Sequence, residues 1–294
     1  MRLPRATRPV ALSLARAVVR GFGEWQTVAL LLAANLAVAA LVVAPFLPGL
    51  ARELGHAPLA EGRPLLSAPV LFSLAALVRT GSRPSVLGPV VLLALLQLFL
   101  AGGIARRAWL DSPFSAAEFL SACGRLFGRN LRLACWSVVG LLAVIAVLAG
   151  STALLRRLGQ PSLFTLEGWV TGRLVSPGNL LQLLLAVLCL ATWRLGLESA
   201  RVLLWRDDLR RTRLAAWRGL QAALGAPLAI AGFALLAAGA LLGVYLLARL
   251  RASLPEGAVG WAALALGVSQ LTLWVRYVFQ VAGAVFAAEQ LRHL

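Results

Sequence analysis

The chain has 294 residues, 60% of them apolar and 13% charged, with a formal net charge of +17. A soluble domain carries about 25% charged residues, so this composition excludes a globular surface covered by water. The 28 basic residues are all arginine and sit between the apolar stretches rather than on one basic face, which excludes nucleic acid as the partner that such a charge would otherwise suggest.

Crossing a hydrocarbon core of ~30 Å takes ~20 helical residues, and uncharged stretches of that order recur along the chain. The predicted fold is all-α: one integral membrane domain over 1–294, with six transmembrane helices arranged as three helical hairpins. Amphipathic elbow helices at the membrane interface complete it.

In chain order, the N-terminal segment carries Arg2, Arg5, Arg8, Arg16 and Arg20 and ends in the amphipathic stretch "ARAVVRGFG" (15–23). The first span, 27–47, holds one polar residue in its interior, Asn35. Its "AVA" at 37–39 imitates a signal-peptidase site. However, about twenty-five residues precede the apolar run, and the run exceeds the ~7–15 residues of a signal core, so it reads as a retained helix.

The second span, 85–105, has Gln97 near its middle and is stopped by Arg106. A second amphipathic stretch, "LSACGRLFG" (120–128), leads into span three at 133–154. Span four, 175–193, contains Gln182 and ends in Arg194. The outer segments "VLFSLAALVRTGSRPS" (70–85) and "SLFTLEGWVTGRLVSPG" (162–178) resemble each other: each is an apolar helical turn on the membrane, stopped by Gly, Ser and Pro.

The segment "WRDDLRRTRLAAWRG" (205–219) is the most charged part of the chain. Asp207 and Asp208 are the only paired carboxylates, but Arg206, Arg210 and Arg211 flank them and no His supplies a third ligand. They read as a local salt-bridge network rather than a metal site. Arg206, Arg210, Arg211 and Arg213 read as the strongest topological anchor. A third amphipathic stretch, "WRGLQAALG" (217–225), precedes span five at 226–247, whose small residues "AGFALLAAGALLG" (231–243) allow close helix packing. Span six, 257–275, contains Gln270 and ends in Arg276.

Arginines in the connections set orientation. Nineteen lie in the N-terminal segment, the segments after spans two and four and the C-terminal segment, against nine on the other side. Both termini are therefore expected in the cytoplasm and the protein in a bacterial inner membrane. The elbows place arginines among anionic head groups, the expected lipid partner. Trp25, Trp109, Trp205, Trp217 and Trp274 fall near the same level, as an aromatic belt does.

A few polar residues are candidates for chemistry. Arg194 and Glu198 stand at i,i+4, and Arg276 occupies the matching place in span six with Gln280 at i+4. Together they form a candidate polar pathway or anion site, since intramembrane charges are functional candidates by default. The alternative is that both arginines snorkel to the interface. Gln97, Gln182 and Gln270, one per even span, line such a path or act as interhelical hydrogen-bond glue. His56 and His293 build no His–carboxylate constellation. Cys123, Cys135 and Cys189 have neither disulfide nor zinc spacing, and no nucleotide or nucleophile-elbow motif occurs. No cofactor is expected, and no enzyme activity.

Elbows ending in Phe22-Gly23 and Phe127-Gly128-Arg129, before odd spans, combined with arginine-stopped even spans, give a layout that resembles a broad group of uncharacterised six-helix bacterial membrane proteins. It is similar to the membrane-embedded portion found beside some glycerophosphoryl diester phosphodiesterases. The resemblance implies a membrane module, because the phosphodiesterase chemistry of that group resides in a separate soluble domain. Two functions stay open at this point. One is a non-enzymatic subunit or scaffold with a protein partner or a second copy as neighbour; the other is a transporter or lipid-handling protein.

Overall fold

The computed structural model describes residues 10–43, 87–158, 177–253 and 259–292, which form eight helices and no strand. They are α1 (Val10–Gly23), α2 (Trp25–Val43), α3 (Leu87–Trp109), α4 (Ala116–Arg157), α5 (Pro177–Arg206), α6 (Thr212–Leu224), α7 (Pro227–Ala252) and α8 (Val259–Arg292). Five helices hold stretches long and apolar enough to cross a membrane: Val91–Trp109, Ala116–Arg157, Asn179–Arg206, Pro227–Ala252 and Gly267–Arg292. The chain is a helical multi-pass membrane protein. The span expected at 27–47 falls on α2, with 44–47 outside the described residues. The outer segments at 70–85 and 162–176, and both histidines, also lie outside them.

Several helices run well past the apolar windows. The fifth continues to Arg206 rather than stopping at 193, and the eighth to Arg292 rather than 275. Hydropathy marks only the part of a helix that suits lipid. The polar continuations are rich in Leu, Ala, Glu and Arg, which are good helix formers, and nothing in them breaks the ladder.

The elbows differ from one another. The first and third are separate helices, α1 and α6. The second is no elbow: 120–128 lies inside the unbroken 42-residue α4. The sequence explains the difference. After Gly225 and Ala226 comes Pro227, which cannot continue a helix but suits the first position of a new one. After Gly23 the interruption is the single residue Glu24, whose N–H still donates to the Arg20 carbonyl at 2.9 Å. After Gly128 there is no proline, and Asn130 donates from Nδ2 to the Leu98 carbonyl at 3.2 Å. Helix α4 starts at a serine N-cap, with Ser115 Oγ accepting from the Glu118 amide at 3.5 Å.

The chain divides into two compact units. The first takes Met1–Glu24, Leu98–Gly239 and Phe279–Leu294, and its helices meet at glycines. A Cβ on Gly219 of α6 would collide with the Gly196 carbonyl of α5 and come within 2.8 Å of the Ala200 amide nitrogen. A Cβ on Gly102 of α3 would lie 2.8 Å from the Ala122 carbonyl of α4. Leu133, Ala200, Leu204 and Ala215 form a buried cluster that joins α4, α5 and α6. Phe233 of α7 and Phe286 of α8 pack with ring centroids 6.4 Å apart. The second unit takes Trp25–Gln97 and Ala240–Val278. There Thr27, Val28 and Leu31 are fully buried, and Gln97 Nε2 donates to Asn35 Oδ1 at 3.1 Å.

Candidate functional site at the arginine-rich end

Within the first unit, the polar ends of the helices are joined by arginines. Glu24, the single residue between α1 and α2, is buried and receives a two-pronged guanidinium from Arg107 of α3. Nε reaches Oε2 at 3.0 Å and Nη2 reaches Oε1. The fork matches the carboxylate plane, so both oxygens are engaged at once. Arg107 Nη1 also donates to the Ser112 carbonyl.

A helix leaves its last carbonyls without partners and carries negative potential there. Arginines from other helices serve the end of α3. Arg20 of α1 donates to the Leu110 carbonyl at 2.6 Å and to that of Arg107, and pairs with Asp111. Arg292 of α8 donates to the Trp109 carbonyl. Burial holds the Arg20 guanidinium below its ordinary value, against the opposing pull of Asp111 and Glu24. The Trp109 ring takes two cations, Arg206 at 5.5 Å and Arg292 at 5.3 Å from its centroid.

The 205–219 segment splits in two. Arg206 bonds Asp207 at 2.6 Å, and Arg129 of α4 bonds Asp208 at 2.6 Å. That hydrogen bond and the Arg129 charge hold the Asp208 carboxyl below its ordinary value. Asp208 has φ of 45°, in the left-handed region that Asp tolerates better than most residues. Arg210, Arg211 and Arg213 are exposed and have no ion pair among the described residues. No group of three metal-capable side chains occurs among the described residues either.

The polar residues singled out in the sequence are divided between the two units. Arg194 lies 3.4 Å from Glu198 but is 44% exposed. The stronger partner of buried Glu198 is Arg201, at 2.8 Å and i,i+3, a spacing visible in the sequence. Arg276 is exposed and belongs to the second unit, as do Gln97 and Gln270. Gln182 is buried and donates to Thr152 Oγ1 at 2.7 Å and Ser151 Oγ at 3.3 Å across the α4–α5 contact. The side-chain carbonyl of Gln270 is buried with no partner among the described residues.

The sequence reading missed two features. One is the Glu24–Arg107 pair, whose members stand 83 residues apart and share no local pattern. The other is a cleft of about 450 Å³ lined by Arg106, Ala117, Glu118, Ser121, Ala122, Arg125 and Trp205. The arginine stop after span two and the basic face of 120–128 each supplied half of it. No protein-family model matches this chain, and no curated protein or solved structure is significantly similar to it.

Proposed function

We propose that this chain is a non-enzymatic integral module of the bacterial inner membrane, a subunit or scaffold whose arginine-rich end and termini face the cytoplasm. One observation carries the reading: two of the three glutamines within the even spans are used between helices. Gln182 is spent on Ser151 and Thr152, and Gln97 on Asn35. Such bonds position one helix against its neighbour and leave those groups little capacity for a moving solute. Arg194, half-exposed where the apolar stretch of its helix ends, fits an interfacial role better than a path lining.

The experiment is native mass spectrometry of the protein extracted in lipid nanodiscs from its own host. A stoichiometric second polypeptide, retained when Arg194 is replaced by Leu, is the expected result. A lone chain whose Arg194→Leu variant loses transport of a solute would overturn the subunit reading. A second reading, lipid handling, is favoured by the cleft at Arg106, Arg125 and Trp205.

A further inference from the structure

We infer that this cleft is a binding site for a phosphate-bearing anion, of the charge and shape found in an anionic phospholipid head group. The inference rests on the membrane-embedded reading alone, so its failure would leave the subunit reading standing.

The walls come from three helices. Arg106 lies near the end of α3, Trp205 near the end of α5, and Glu118, Ser121 and Arg125 on the polar third of α4. The two guanidiniums flank one indole, with Arg125 at 4.6 Å and Arg106 at 5.8 Å from its ring centroid. Stacking on tryptophan holds a guanidinium plane in place while its N–H edge stays free. Arg125 is exposed and forms no salt bridge among the described residues, the nearby Asp208 carboxylate being bonded to Arg129. Arg106 is paired with Glu118, yet its Nη1 is buried without a hydrogen-bond partner among the described residues. Because that nitrogen is shielded from water, Arg106 gives the cleft its charge and Arg125 gives it the open N–H edge. Ser121 adds a hydroxyl to the same wall.

Charge narrows the ligand. Two arginines and one carboxylate leave the walls with a single net positive charge, which matches a phosphodiester monoanion better than a group approaching two negative charges. Position narrows it further. Arg106 closes the apolar stretch of α3, where arginine meets head groups, and Trp205 reaches it from the polar continuation of α5. Arginine is also the side chain suited to two-pronged phosphate recognition.

The test uses the full chain in nanodiscs of phosphatidylglycerol or of phosphatidylcholine, with tightly held lipid counted by native mass spectrometry. Arg125→Gln is the main variant. It changes an exposed residue, and unaltered helix content by circular dichroism checks its fold. Arg132→Gln removes the same charge from an exposed position on the same helix outside the cleft. Wild type and Arg132→Gln should retain a phosphatidylglycerol molecule that Arg125→Gln holds about tenfold less tightly, the effect of one charge-assisted contact. Arg125→Lys should fall between them, keeping charge but losing the planar fork. Inorganic phosphate titrated into phosphatidylcholine nanodiscs separates the sources. Arg125-dependent binding there, without lipid retention, assigns the same site to a soluble phosphate. Equal lipid retention in wild type and Arg125→Gln with no Arg125-dependent phosphate binding, or an equal loss in Arg132→Gln, overturns the proposal.

Discussion

The polar and apolar parts of helix α4 follow different rules although no break separates them. In the polar third, Phe119, Ala122, Cys123, Leu126 and Asn130 are buried against neighbouring helices. Further along, Val138, Val139, Leu142, Ile145 and Val147 are exposed, and only 6% of the helix's apolar window is buried inside the protein. Lipid tails are as apolar as leucine, so covering these side chains with protein yields no hydrophobic gain. Where the chain leaves the apolar zone, burial and directional bonding regain their value. Glycine contacts, ion pairs and carbonyl-capping arginines gather there in the first unit.

The largest test of this contrast removes the buried charge pair. Glu24→Gln should cost about 3–5 kcal/mol, because Arg107 is left in a buried place without its counter-charge. The lowered melting temperature should be read in nanodiscs beside Leu142→Ala, an exposed apolar position where almost no change is expected. Equal melting temperatures for the two variants would erase the distinction between the regions.

Glycines give a finer test. Gly219→Ala should cost about 1–3 kcal/mol, since the new methyl meets backbone of α5 that cannot yield cheaply. Gly128→Ala has open space around its Cβ and should stabilise α4 by roughly 0.5–1 kcal/mol, the helix-propensity difference. Denaturation in graded sodium dodecyl sulfate would report both, and a shift of the same sign would contradict the packing described. The smallest effect belongs to Gln182→Leu, at about 0.6 kcal/mol, the average for interhelical hydrogen bonds in a membrane.

Composition and span spacing made the helical membrane architecture legible, because a run such as 133–154 is long, apolar and uncharged whatever surrounds it. The helix ends were less legible. Apolar runs stop at the lipid boundary, whereas the backbone ladder of α5 continues to Arg206. Gly128 matched the glycines that end the other elbows, but a glycine alone does not stop a helix. Proline at 227 did that after the third elbow. Arg106 and Arg125 were each visible as basic residues. Their meeting around Trp205 depends on a third helix, α5, far along the chain, a relation that hydropathy and periodicity do not encode.

The continuity of α4 also has a mechanical consequence. Its 42 residues make a rod of about 63 Å. Arg125 lies seventeen residues from Leu142, about 25 Å along the axis. For a stiff rod pivoting near Leu142, a 10° change in tilt displaces Arg125 sideways by about 4 Å, with no joint between to absorb it. This helix is a lever, with one arm in the lipid-exposed region and the other in the wall of the arginine cleft.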